Sequence, residues 1–570
     1  MIVKTPWQIR LLGPLGTALE HFCNAHLESF DFDRFLEPFI LKSGPRCGRE
    51  LMVWGQSILC ALRCMSFLDN KEALSERVFA SICKMMSLQE EDGAITAFPR
   101  EQQLQGWDLL SRRSVLNALL QAFIFYRRER SIRECCVRMA DQIISLVGPG
   151  KRSILYCGVL GGLDSSAIME SMVDLYRISK EKRFLDFACY IADCGCSQQH
   201  NIFEALDKNM EPALLGSGHA PALTACFKGL CALGAAAPEY EEKAKHLCRL
   251  YMERIAAEEL FITGSGGNGD PENPRWCKGA FRQTDGACPP GSTAVTAACI
   301  EFFASLTDLL DPVMPAALGE RSFYNALLGA WRKESSTFDL LEAAPLSKAY
   351  RKAAESSLFR LFRAAEALTL APQAAATPLK DGLQINFYED MEAILPRQAL
   401  VRVIGGFPGT SSVEVNIRSK QPFTISLRVP DWCTGVYYCN ARLACKKNSY
   451  LTMTRPWELD EILRLDFKPE VRYAAPPDGS FKHALTHGPL VMAAQLGKER
   501  SPEHLDSVTY NGLKLIDFAS AGKGSCDGEP FIVWFQRMFP DNMVSHLKRY
   551  LPEEPPQKPK RPITFIGRKR

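Results

Sequence analysis

Between about residue 10 and residue 370, apolar residues recur at helical spacing in one segment after another. Ser114–Phe125 places Val115, Leu119, Leu120 and Phe123 on one stripe. Ser166–Ile178 does the same with Ile168, Met172, Leu175 and Tyr176, and "KEKRFLDFACYIADC" resumes the pattern after a turn. "GHAPALTACFKGLCALG" and "EEKAKHLCRLYMERIAAEEL" form another such pair. Short Gly, Pro and Asp breaks separate the segments, so neighbours fold back on each other as hairpins. About a dozen helices in consecutive antiparallel hairpins leave two architectures, an open α-solenoid or a closed (α/α)6 barrel. No fixed repeat period is visible, which disfavours the solenoid. Long irregular inserts such as Thr263–Pro290 suit loops that build a pocket at one end of a closed ring.

The period changes near residue 380. "DGLQINFYEDMEA", "ALVRVIGGF", "SSVEVNIRS", "FTISLRVPDWC" and "EILRLDFKPEVRYA" alternate apolar and polar residues and are rich in β-branched types. These stretches predict the strands of an antiparallel β-sandwich. "EPFIVWFQ" is expected to return one strand to the same sheet. The expected fold class is therefore mainly α with a β domain. Residues 1–378 would form the barrel, 379–540 the sandwich, and 541–570 a flexible basic, Pro-rich tail.

Composition narrows the partners. Lys+Arg 68 against Asp+Glu 65 leaves a net charge of +3, too weak a field for a nucleic-acid or anionic-membrane partner. No uncharged apolar run approaches the roughly 20 residues of a membrane span, and "MIVKTPWQIRLLGPLG" lacks the apolar core of a secretory signal. Many of the 21 cysteines (Cys60, Cys64, Cys83, Cys226, Cys231) fall at core positions of helical patterns, where a thiol behaves as a small hydrophobe. None forms a CxxC…CxxC pair, so reduced thiols and a cytoplasmic location are expected. "GSGGNG" (Gly264–Gly269) follows no predicted strand and carries no nucleotide-binding implication.

Several stretches, in order, resemble glycoside hydrolase family 127, the β-L-arabinofuranosidase-like enzymes. "QEEDGAI" with "WDLLSRRSVLNALLQAF", "SSAIMESMVDLYRISKEKRFLDFACYIAD", "FITGSGG", "RSFYNALLGA", "FTISLRVPDWC" and "LTHGPLVMAA" carry the likeness. The resemblance implies an (α/α)6 barrel followed by β-sandwich domains, and hydrolysis of an oligosaccharide or glycoside. It also implies a zinc-bound cysteine thiolate as nucleophile, held by a Glu-Thr-Cys triplet at a helix start and a Cys-Cys pair. The triplet falls here on Ser292-Thr293-Ala294 in "GSTAVTAACIEF", and the pair on Ser356-Ser357 ahead of Arg363. Hydroxyl and methyl groups are poor substitutes for thiolate and carboxylate ligands, so no metal or other cofactor is expected. A family histidine near the sugar is replaced around Asp164-Ser165.

Without thiolate, glycoside cleavage needs two carboxyls, one protonated and one ionised. Asp270 and Glu272 lie in the insert where the resemblance places an acid/base glutamate, and Asp285 is a third acid there. Asp108 and Asp164 precede helices; helix capping competes with catalysis as their role. His219 matches a family histidine at a helix start and is a candidate for contact with sugar hydroxyls, with a purely structural histidine as the alternative. Trp54, Trp107 and Trp276 are candidate stacking faces, and Ser165, Ser292, Ser356 and Ser357 candidate polar contacts. Cys277 and Cys288, which flank the insert, are a remote candidate for a rebuilt zinc site. Two functions follow: a metal-independent glycoside hydrolase, or a catalytically inactive relative that binds a carbohydrate or a protein. A homodimer is compatible with either.

Overall fold

The computed structural model describes residues 8–536 except 45–47, 67, 69–70, 127–128, 285, 287, 347–356, 396–398, 459–460, 468–470, 496–506, 511 and 524–528. Asp285, Ser356 and the basic tail lie outside the described residues.

Twelve helices of nine or more residues occur among the described residues. They are α1 (Pro14–His26), α2 (Val53–Cys64), α3 (Glu72–Ser87), α4 (Asp108–Phe125), α5 (Arg130–Leu146) and α6 (Met169–Ser179). After them come α7 (Lys182–Asp193), α8 (Ala220–Gly234), α9 (Pro238–Arg254), α10 (Thr293–Leu306), α11 (Val313–Arg321) and α12 (Leu358–Leu368). Their contacts close on themselves: α2 packs on α4, α4 on α6, α6 on α8, α8 on α10, α10 on α12, and α12 on α2. The remaining helices pack against this cycle, α3, α5, α7, α9 and α11 each on the helix before it and α1 on α12 and α2.

Sequence decides which helices go inside. Every residue of α2 is buried, Gln56 and Arg63 included. In α5 the buried residues Ile132, Cys135, Cys136, Met139 and Ile143 mark a single face, as expected for a helix with solvent on its other side. The cysteines among the described residues are free thiols, most of them buried in such faces. No helix among the described residues is long and apolar enough to cross a membrane.

The second region is built of sheets, mostly antiparallel. "SSVEVNIRS" and "FTISLRV", read separately from sequence, form one strand, Ser412–Val429, with a register shift between Ser419 and Phe423. Its first half pairs with Leu400–Ile404 and Ile462–Phe467. Its second half pairs with Ser449–Trp457 and, in parallel, with Gly382–Ile385. Two expectations need correction. The N-terminal segment is not wholly helical: Gln8–Leu11 is an edge strand paired with Met391–Ile394, so the sheet region draws on both ends of the chain. "EPFIVWFQ" joins not this sheet but a separate seven-stranded one, through Phe531–Ile532 and Trp534–Gln536.

Buried polar contacts fasten the two regions together. Glu389 accepts from the Leu15 and Gly16 amides at 3.2 and 2.9 Å and from the Tyr324 hydroxyl at 2.8 Å. Arg428 and Glu320 form a buried ion pair. The Asn325 amide donates to the Pro489 carbonyl at 2.9 Å, and its oxygen accepts from the Val491 amide at 2.7 Å.

Candidate active site

Inside the cycle of six helices lies a cavity of about 440 Å³. Its lining falls at two levels. Met52, Trp107, Ala167, His219, Ala294 and Phe359 come from the caps or first turns of the inner helices, or just before them. Leu59, Asn117, Asp174, Lys228, Glu301 and Arg363 come from their middles. This layering requires all six to run in the same direction, with their positive dipole ends at the mouth. The mouth is finished by the 271–275 insert and by Arg49.

The floor is a chain of buried charges. Lys228 Nζ sits 3.0 Å from Glu170 Oε2 and 2.9 Å from Glu301 Oε2, which holds the two carboxylates within about 6 Å of each other. Arg363 continues the chain, bridging Glu301 and Glu366. Burial alone would raise the Glu301 carboxyl; Arg363 and Lys228 together hold it well below the usual carboxylate range. The same two carboxylates keep Lys228 charged against burial. Asp174 goes the other way, raised first by burial and further by the Glu170 charge, although Arg177 pairs with it at 3.0 Å.

At the mouth, Glu272 is clamped by the guanidinium groups of Arg49 and Arg360, and its side chain is 62% exposed. Arg49 in turn lies 6.0 Å over the Trp107 ring. His219 caps α8: its Nδ1 accepts from the Ala222 amide at 3.3 Å, so the neutral ring carries its proton on Nε2, as a donor. Burial, followed by the charges of Arg49 and Arg275, lowers its pKa to about 4. Asp164 lines the cavity, but its oxygens accept from the Val159 and Leu160 amides at 2.8 and 3.0 Å. That is a loop clamp as well as a lining group.

The other sequence candidates sit elsewhere. Asp270 is outside the lining; its Oδ1 accepts from the Glu272 and Asn273 amides at 2.8 and 3.2 Å, shaping the turn that presents Glu272. Asp108 is fully buried away from the cavity, 2.9 Å from Arg112 and accepting from Thr96 and the Leu104 amide. Burial removes Trp54 and Trp276 too: their ring N–H groups donate to Ser81 at 3.1 Å and to Tyr251 at 3.0 Å. Ser165 donates to the Ile154 carbonyl at 2.7 Å. Ser292 is buried at the start of α10, its amide donating to the Gly266 carbonyl. Ser357 is exposed at the start of α12.

The zinc that the family likeness implies can be tested on the donor atoms. The start of α10 offers the Ser292 hydroxyl, a Thr293 hydroxyl donating to the Asp339 carbonyl at 2.6 Å, and the Ala294 methyl. The start of α12 adds the Ser357 hydroxyl. No thiolate, imidazole or carboxylate stands at these positions, and such a set does not fit zinc. The nearest thiol on α10, Cys299, is buried, and burial with the Glu342 charge pushes it up, away from thiolate. Cys277 likewise is pushed up to about 11 by burial and by Glu259.

Sequence reasoning missed Asp174, Lys228, Glu301, Glu366, Arg113 and Arg49 as lining groups. A signal existed for two of them. Lys228 in "TACFKGLCALG" and Glu301 in "AACIEFFASL" are single charges within otherwise apolar runs, which a fully buried helix tolerates only when they are paired.

A two-part molecule, with a ring-like set of helices around a charged cavity and a sheet region fastened to it, has the fold of the family 127 glycoside hydrolases. The solved structure of a GH127 beta-arabinofuranosidase matches with a TM-score of 0.73 at 14% identity, covering 94% of this chain and 98% of that one. A GH127 beta-L-arabinofuranosidase from Geobacillus stearothermophilus T6 matches with a TM-score of 0.70 at 14% identity, over 93% of this chain and 100% of that one. A third, described as a glycoside hydrolase, gives 0.68 at 14% identity over 93% and 96%. Comparison with family profiles and with curated proteins gives no match.

Proposed function

We propose that this chain is a glycoside hydrolase whose helical part is an (α/α)6 barrel, whose sheets form a β-sandwich, and whose cavity receives an oligosaccharide. The observation that carries this is the cavity itself: deep, with Trp107 and Phe359 at its mouth and carboxyl groups at mouth and floor. Aromatic faces stack on sugar rings, and paired carboxyls supply proton transfer. Glu272 would act as the ionised carboxylate, with Asp174, whose carboxyl burial shifts upward, as the candidate proton donor. Trp107, Phe359 and the His219 Nε2–H would position the sugar. The reaction would proceed without a zinc thiolate, because Ser292, Ala294 and Ser357 cannot supply one. The solved structures of similar fold include arabinofuranosidases, which makes arabinose-containing oligosaccharides the first substrates to try.

A second reading, a binding-only relative, draws on a specific observation. Each cavity carboxylate already has a cationic or N–H partner, which fixes it in place but leaves none free. One experiment separates the two. Reducing-sugar release is measured on a panel of plant and bacterial oligosaccharides, with Glu272→Gln and Asp174→Asn alongside. Hydrolysis requires turnover by the unmodified protein and a loss of at least about 100-fold in a catalytic variant. Binding without turnover supports the second reading, and turnover unchanged in both variants removes these two residues.

A further inference from the structure

Most of the charged groups around the cavity have a named partner. Glu301 has Lys228 and Arg363, Glu366 has Arg363, Glu272 has Arg49 and Arg360, and Asp164 has two amides. Arg113 on α4 is different. It lines the cavity, yet among the described residues its guanidinium makes no hydrogen bond or ion pair, its Nε is buried without an acceptor, and the Glu170 charge acts on it only at longer range. Its neighbours on the same helix are Ser114 and Asn117, one turn on, both in the lining. Asn117 Oδ1 is occupied by the Ser171 hydroxyl at 2.6 Å, so what that amide still offers the cavity is its N–H donors. The His219 ring adds a donor through Nε2. The helix starts around the mouth present positive dipole ends.

A buried or half-buried guanidinium left without an acceptor costs stability, since its N–H groups have given up water for nothing. The cost is recovered when a ligand brings the acceptor. The planar fork of guanidinium matches a carboxylate with two parallel N–H···O bonds. Resting on the reading of this cavity as a glycan site, we propose that Arg113 receives the carboxylate of a uronic acid residue, making acidic glycans the substrate class. A neutral sugar would leave the guanidinium unsatisfied, and the site would discriminate against it.

The test is isothermal titration of trigalacturonate, galactotriose and galactose 6-sulfate into the full-length protein, Arg113→Gln and Arg113→Lys, with thermal melts to show that each variant is folded. Expected is trigalacturonate binding at least tenfold tighter than galactotriose. The preference should disappear in Arg113→Gln and shrink in Arg113→Lys, which keeps the charge but loses the fork. Equal affinity for acid and neutral trisaccharide, or a preference retained in folded Arg113→Gln, overturns the proposal while leaving the glycan reading intact. Tighter binding of the sulfate ester than of the uronate overturns the carboxylate assignment. Binding of none of the three overturns this proposal, while the glycan reading is decided separately by the oligosaccharide panel, arabinose-containing members included.

Discussion

His219 shows how one side chain ties structure to pH. Its folded-state pKa of about 4 lies below the ordinary value of 6.5, because burial and two arginines oppose the charged ring. A depressed group contributes stability that is present above pH 6.5 and lost as pH falls through about 4. The protein should therefore lose thermal stability between these values. His219→Asn, which can cap α8 without titrating, should flatten that slope in melts at a series of pH values. Glu272 makes a second prediction at this scale. Glu272→Ala releases Arg49 and Arg360 from their shared anion at an exposed site, so the melting temperature should change little while glycan affinity falls, by titration, about tenfold or more. Equal affinity would take Glu272 out of the site.

Elements carry the next level of argument, and the inner helices are the clearest case. Lys228 is a single charge in the apolar run of α8, placed between a carboxylate on α6 and one on α10. Lys228→Met keeps the bulk but leaves Glu170 and Glu301 facing each other in a buried setting. Breaking a buried pair on one side costs about 3–5 kcal/mol, so the melting temperature should drop by about 3–6 °C in a region this large. A melt within a degree of the parent would show that the floor network does not hold the helices together. The period of α4, α6 and α8 was legible in the sequence because amphipathic or wholly apolar runs have few alternatives. Which acids face the cavity was not. Asp108 and Asp164 both begin helices, yet one caps a buried loop and the other lines the cavity. That difference is set by neighbours on other helices, such as the Gln142 side-chain oxygen, 30 residues on, that accepts from Arg112 beside Asp108. Trp54 and Trp276 take the core role for the same reason, since a tryptophan fits a core as well as a sugar face.

At the scale of the molecule, the sheet region is not an appendage. It takes its edge strand from Gln8–Leu11, and Glu389 reaches back from it to the first turn of α1. Burial raises the Glu389 carboxyl to about 7 against the hydrogen bonds that lower it. A raised group contributes stability that is present below its unfolded value of 4.5 and lost as pH rises through about 7, opposite in sign to His219. Glu389→Ala strands two amides and a buried tyrosine hydroxyl, and should cost about 2–4 kcal/mol by denaturant or thermal unfolding. The two-part organisation was visible in the change of hydrophobic period near residue 380, but the N-terminal strand was not, because four residues are too few to declare a period.

The cavity enclosed by the six helices is the place where the whole account stands. Titrating the best-binding oligosaccharide of the panel into the parent protein and into Trp107→Ala measures this most directly. If the sugar lies in the cavity mouth against that ring, affinity falls by about tenfold, the worth of one base-sized or sugar-sized stacking face. If Trp107→Ala and the parent bind the oligosaccharide equally well, the glycan site is somewhere other than this cavity.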